Sequence, residues 1–151
     1  MTGTDEREGF SHSRTLTIEW GHCDPAGIVF NPNFFGFFDW SSALLLEAAT
    51  GLAKPALLAA HDLIGIPLVE TQARFLKPSS YGETVEIVST VVEVGRSSFA
   101  IRHRLFNAGT LAVEGRERRV WAGHHPDERG RMKAAAIPEA VARVLRGEAA
   151  P

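Results

Sequence analysis

Apolar positions alternate in the first part of the chain and then crowd together. From Arg14 to Trp20, Leu16, Ile18 and Trp20 fall on one side and Thr15, Thr17 and Glu19 on the other, the pattern of a strand with one buried face. Gly21 to Gly27 carries turn residues. Asn31-Pro32 then opens a helix. Asn is a strong N-cap, and proline suits the first helical position, where its missing N–H would lack an intrahelical acceptor anyway. The helix is predicted to run to Thr50, with Gly51 as its C-terminal stop. Phe34, Phe35, Phe37, Phe38, Trp40, Ala43, Leu44, Leu45, Leu46, Ala48 and Ala49 cover most of its circumference. A helix apolar nearly all round is buried on most sides, so other parts of the chain must wrap it.

Beyond the helix the period returns to two. Pro55 to His61 reads as a short second helix and Gly65-Ile66-Pro67 as a turn. Strands are predicted over Leu68–Leu76, Thr84–Val94, Phe99–Phe106 and Leu111–Ala122, separated by the loop Lys77–Gly82 and the turns Gly95–Ser98 and Asn107–Thr110. The last three, in series and joined by short turns, argue for an antiparallel meander. Gly123–Gly130 reads as a loop and Pro138–Arg146 as a short amphipathic helix. The expected class is α+β: one curved antiparallel sheet around one long central helix. Val85, Ile87 and Val91 share one face of their strand, and Val88, Val92 and Val94 share the other. Parts of the sheet are thus expected to be buried twice, against the helix and against another subunit.

A length of 151 residues fits one domain, expected over residues 14–147 after a disordered tail, 1–13. A net charge of −2 gives no reason to expect nucleic acid or an anionic membrane as partner. The single cysteine, Cys23, cannot form an internal disulfide. Met1–Ser13 is polar and lacks the apolar stretch of a signal peptide. The longest apolar run, Ala43–Ala60, is broken by Glu47, Thr50, Gly51, Lys54 and Pro55, so no bilayer span is expected. The cytoplasm is the default location.

The chemistry gathers at Asp24. An Asp-Pro pair is by itself most often a turn. Here, though, a helix start follows within a few residues. The first N–H groups of a helix lack internal acceptors, and its dipole adds partial positive charge. A carbonyl placed there is polarised, and a carboxylate across it can attack it or activate a water. Acyl transfer or hydrolysis suits that arrangement.

The run Gly21-His22-Cys23-Asp24-Pro25-Ala26-Gly27-Ile28-Val29-Phe30-Asn31-Pro32-Asn33 resembles the signature of the 4-hydroxybenzoyl-CoA thioesterase family, of the hot-dog fold. The resemblance extends from about Leu16 to Ile137. It implies an acyl-CoA thioesterase for an aromatic acyl group of benzoyl or hydroxybenzoyl type. It also implies no cofactor, no metal, and a homo-oligomer built from hot-dog dimers, up to a tetramer. Carried over by position, Asp24 is the nucleophile or general base and Asn31 supplies the N–H for the thioester carbonyl. Gly27 and Asp39 belong to the substrate site. Arg96 and Ser97 stand at a turn that holds CoA phosphates. The family's basic cluster there is reduced to Arg96 alone, so phosphate binding is expected to be weaker or to use others, such as Lys133 or Arg131. His22 stands where the family has an acid. The alternatives are a thioesterase for short aliphatic acyl-CoA and a non-catalytic acyl-CoA-binding module on the same fold.

Other candidates weigh less. Cys23 as a nucleophile needs a lowered thiol pKa, and a small thiol beside a turn is more often packing. His124-His125 lacks further ligands at a recognisable spacing. Asp39 and Glu47, eight apart, share roughly one helix face. Arg102 with Arg104, and Arg116 with Arg118, form stripes of the kind that mark solvated strand faces.

Overall fold

The computed structural model describes residues 8–151. Strand β1 (Ser11–Thr17) leads through a single 3-10 turn (Trp20–His22) to helix α1 (Pro32–Thr50), then α2 (Lys54–Ala60). Strands β2 (Leu63–Gly65), β3 (Leu68–Phe75), β4 (Thr84–Val94), β5 (Ser98–Asn107), β6 (Thr110–Val120), β7 (Ala122–His125) and β8 (Glu128–Ala134) follow, and α3 (Glu139–Leu145) closes the chain. Five strands form one antiparallel sheet in the order β1-β4-β5-β6-β3, and β2-β7-β8 form a second. Trp121, 1% exposed, lies between β6 and β7 where the chain passes from one sheet to the other. The class is α+β, as expected.

Helix α1 has the predicted limits. Gly51 ends it with a left-handed φ of 75°, donating its N–H to Glu47 O at 2.8 Å. The first half of α1 packs Phe34, Phe37 and Phe38 against Val85, Ile87, Leu105 and Val113. Its second half packs Leu45, Leu46 and Ala49 against Val91, Phe99, Ile101 and Trp121. Not all of its circumference is covered, because Trp40 is 64% exposed. That ring lies beside the Arg14 guanidinium, 5.5 Å from its centroid. Arg14 in turn donates to Ser41 Oγ and Phe37 O, tying β1 to the helix.

Three expectations are corrected. The first strand begins at Ser11, inside the stretch read as a tail, because Gly9 and Phe10 bond to Val91 and Leu145 and dock the chain there; residues 1–7 of that stretch lie outside the described residues. Trp20 does not continue the buried face of β1. The chain leaves the sheet after Ile18, and Trp20 is 62% exposed. The segment read as a loop after Ala122 contains the hairpin β7–β8. Its Gly, His, Asp and Arg content gave no strand signal, and backbone pairing with β2 supplies what side-chain propensity lacks.

One close contact fixes the helix on the sheet. Phe38 lies over His103 with its ring nearly parallel, centroids 4.8 Å apart. A Cβ built on Gly115 would meet the Phe38 ring at 2.5 Å. Gly115→Ala is expected to destabilise the fold by about 1–3 kcal/mol through overpacking, read as a lowered urea midpoint with an unchanged slope.

Candidate active site

Asp24 sits in a tight reversal. Its N–H donates to Ile28 O at 2.9 Å and its carbonyl accepts from Gly27 N–H at 2.9 Å. Its Oδ1 accepts from Ala26 N–H at 2.8 Å, a local side-chain turn of the kind Asp favours. Gly27 adopts a left-handed φ of 79°, which glycine accepts without penalty. Turn residue and available acid therefore coincide: Oδ1 sets the turn, and Oδ2 has no partner among the described residues. The reversal is braced by the loop before β4. Val29 N–H donates to Ser79 O and Tyr81 N–H to Gly27 O, both at 2.9 Å. Glu83 secures that loop by accepting from Ser80 N–H at 2.8 Å and Asn107 Nδ2 at 2.7 Å. The Asn107 bond first, then the Ser80 bond, hold its carboxyl below the usual range.

The helix start differs in detail from the sequence expectation. Asn31 makes no side-chain cap. Instead the Asn33 side chain donates to His22 O at 2.8 Å, joining the first turn of α1 to the segment before Asp24. Asn33 N–H and Phe34 N–H are taken by Phe30 O and Asn31 O. The unpaired donor is Asn31 N–H, which has no acceptor among the described residues. Asn31 borders a cavity of about 210 Å³ whose other walls are Ile28, Val29, Phe34, Phe75, Leu76, Lys77 and Pro78. The residue that carries the unpaired donor at the positive end of the helix thus borders a mainly apolar hollow.

The remaining predicted residues lie elsewhere. Asp39 is two turns along α1, its side chain 66% exposed. Arg96 and Ser97 are in the β4–β5 turn, where Ser97 O accepts from Trp121 N–H and Arg96 O from Ile137 N–H. Lys133 is exposed on β8 opposite Gly123. This turn lies towards the end of α1 remote from Asp24. Nineteen helical residues at about 1.5 Å each separate the two ends by roughly 28 Å. Asp24, Gly27 and Asn31 lie on one backbone reversal, closed by Phe30 N–H on His22 O and a Cys23–Val29 bridge; Asp39, Arg96, Ser97 and Lys133 lie apart from it.

The weaker candidates take structural positions. Cys23 packs beside the core, with Sγ 3.5 Å from Glu19 O. His124 and His125 accept from the backbone of Gly130 and Asp127 in their hairpin. His22 Nδ1 accepts from Glu19 N–H at 2.9 Å, which places the proton of the neutral ring on Nε2.

A buried polar network escaped sequence reasoning. His103, Glu117 and Arg119 are 0%, 2% and 3% exposed and face α1. Ser89 Oγ pairs with His103 Nδ1 (2.8 Å), His103 Nε2–H donates to Ser42 Oγ (3.1 Å) and lies 3.5 Å from Glu117 Oε1, and Ser42 O–H donates to Glu117 Oε2 (2.5 Å). Arg119 donates from Nε to Glu117 Oε2 (2.9 Å), from Nη1 to Ile66 O (3.1 Å) and from Nη2 to Asp39 Oδ1 (2.6 Å). Burial opposes the charge of Glu117, but the hydrogen bonds and charges of His103 and Arg119 outweigh it and lower its pKa from 4.5 to about 2. Charged residues on both faces of β6 hid the network: Arg116 and Arg118 face outward and Glu117 and Arg119 inward, so alternation marked neither face as buried.

The family model of the thioesterase-like superfamily matches residues 18–145. The chain belongs to that superfamily. A 4-hydroxybenzoyl-CoA thioesterase from Pseudomonas sp. (strain CBS-3) is 33% identical over 86 residues, 57% of this chain and 61% of that relative. The matched stretch therefore spans under two thirds of the relative's length. A solved structure of 4-hydroxybenzoyl-CoA thioesterase from that strain aligns with a TM-score of 0.81 and 26% identity, covering 90% of this chain and 99% of that one. A gentisyl-coenzyme A thioesterase structure aligns with a TM-score of 0.73 and 27% identity, over 86% of this chain and 98% of that one. The superfamily chain described here shares their α+β fold. Among its described residues no single helix is long and apolar enough to cross a membrane.

Because Glu117 titrates far below its ordinary value, its contribution to stability is full above about pH 4.5 and is lost as the pH falls towards 2. Glu117→Gln is expected to cost about 3–5 kcal/mol near neutrality, since it leaves Arg119 without its buried anion. The same variant flattens the acid limb of stability against pH in urea titrations.

Proposed function

We propose that the protein is an acyl-CoA thioesterase for an aromatic acyl group of benzoyl or hydroxybenzoyl type. The observation that carries this reading is the pairing of Asp24, with Oδ2 unpartnered, and Asn31, whose free N–H opens a helix beside an apolar hollow. The thioester carbonyl oxygen takes the Asn31 N–H, and the helix dipole stabilises the negative charge that develops there. Asp24 Oδ2 then either attacks the carbonyl carbon or draws a proton from a water that attacks it. In both routes the C–S bond breaks and CoA leaves as the thiolate. Direct attack gives an acyl–Asp24 anhydride, which water hydrolyses. Nothing in either route calls on a metal or prosthetic group.

The working unit in this reading is a two-fold dimer with the hot-dog arrangement, α1 being the central helix of each copy. Strand β3 is an edge strand, paired on one side to β6. Leu68, Val69 and Phe75 on it, and Leu76 just after, are 41–56% exposed. The opposite edge, β1, carries Ser and Thr at its exposed positions. An apolar unpaired edge is a template for strand addition, and a second copy satisfies it. Phe75 lies against Phe34 at the start of α1, while Leu68 pairs with Arg119. Antiparallel β3–β3 pairing sets the Leu68 end of one copy beside the Phe75 end of the other. Asp39 and the Arg96–Ser97 turn of the second copy thereby approach Asp24 and Asn31 of the first. Asp39 then serves the acyl end of the substrate, and Arg96, Ser97 and Lys133 the CoA phosphates.

Free-thiol release from benzoyl-, hydroxybenzoyl-, phenylacetyl- and short aliphatic CoA thioesters tests the reading. Turnover should be highest with the aromatic substrates and fall by about 10²–10⁴-fold in Asp24→Asn, with substrate binding little changed. Near-normal turnover in Asp24→Asn sinks the mechanism, and a preference for the short aliphatic thioesters replaces the substrate class. Val69→Lys places a charge on the β3 edge. It should shift light-scattering mass towards one copy and lower turnover with it; an unaltered mass rules out the β3 interface.

A further inference from the structure

Once Asp24, Asn31 and the cavity walls have their parts, His103, Glu117 and Arg119 remain as buried polar side chains without one. Lys54 and Arg119 stand near Glu117 and Asp39, so the charges balance as a set, but balance alone does not fix which way Asp39 points. Glu117 already answers Arg119 at 2.9 Å, and a buried cation with a close, hydrogen-bonded anion needs no second one. Asp39 is held all the same, at 2.6 Å, by a side chain 4% exposed while its own is 66% exposed. A contact to so exposed a carboxylate adds little to stability. What it fixes is direction. The guanidinium is planar, and its Nε and Nη1 are committed to Glu117 and Ile66 O, so Nη2 can point only one way. It takes Asp39 Oδ1 and leaves Oδ2 outward, without a partner among the described residues.

We infer that Arg119, fixed by Glu117, is a positioning residue that aims Asp39 Oδ2 at a hydrogen-bond donor on the acyl group and so sets the choice between hydroxylated and plain aromatic acyl groups. This rests on the thioesterase reading above, with Asp39 at the acyl end. It adds that the selectivity of an exposed side chain is set from inside the core. Glu117 and Arg119 touch no substrate, and their effect passes entirely through Asp39.

The test compares kcat and KM of the full chain for 4-hydroxybenzoyl-CoA and benzoyl-CoA. Arg119→Lys keeps the charge but loses the planar fork, and Glu117→Gln loosens the fork from below. Each should lower kcat/KM for the hydroxylated substrate by roughly tenfold, mostly through KM, the scale of one hydrogen bond to a charged group. Benzoyl-CoA should change by less than about twofold. Asp39→Asn should do the same, and the Asp39→Asn/Arg119→Lys double variant should lose no more than the worse single one. Equal losses on both substrates, or losses that multiply in the double variant, make Arg119 merely structural and overturn the inference. So does an Arg119→Lys enzyme that keeps full discrimination. If Glu117→Gln does not fold, Arg119→Lys and the double variant still decide. A chain that turns over only aliphatic thioesters, with Asp24→Asn inactive, overturns this inference and leaves the thioesterase reading standing. No turnover of any thioester overturns both.

Discussion

Helix α1 lies on a sheet face that is not purely apolar, and closing the polar part of that face is the constraint on which the packing depends. Glu117 and Arg119 project towards α1 from the same strand and are almost wholly buried. Either charge alone would be costly there. Together with Ser42, His103 and Ser89 they form a chain of donors that ends on carboxylates, with each side chain satisfied by the next. Such a network tolerates little displacement, because a half-satisfied member costs more than an apolar one. Phe38, against His103 and over Gly115, fixes the helix above the same spot. Register of α1 against β5 and β6 is therefore set by shape and by hydrogen bonding at one place.

From that fixed helix the geometry of the Asp24 end follows. The start of α1 is tied back to the chain before Asp24 through Asn33 and His22 O. The reversal at Asp24 is tied forward to the loop before β4 through Val29, Gly27 and their partners at Ser79 and Tyr81. A carboxylate and a helix N–H are thus held by separate backbone ties on either side. Preorganisation of this kind is what charge stabilisation at a developing oxyanion needs, since donors that must reorient contribute far less.

The two ends of α1 carry different chemistry. Asp24 and Asn31 are at one end, the Arg96–Ser97 turn is at the other, and Asp39 lies between. On the proposed reading, an extended substrate with a nucleotide head and an acyl tail uses both when a second copy reverses the order across an edge. In that reading, the exposed apolar residues of β3 make that edge.

The alternation and turn residues of the sequence determined the helix limits, the four long strands and the antiparallel run of the last three, because each rests on local chemistry: Pro32 at a helix start, Gly51 beyond its end, Val and Ile every second residue; that β3 pairs with β6 was decided by the fold. The motif around Asp24 was legible for the same reason, since its acid, turn and helix start are contiguous. Only the tertiary structure decided the rest. It turned Trp20 out to solvent after the chain left the sheet, and it docked Gly9 and Phe10 beside β4 and α3. It made strands of Ala122–His125 and Glu128–Ala134, whose residues have little preference for them. Above all it gathered Asp39, Ser42, Ser89, His103, Glu117 and Arg119, drawn from four elements, into one network. Charged residues read one at a time look solvated; only their partners across the fold make burying them possible.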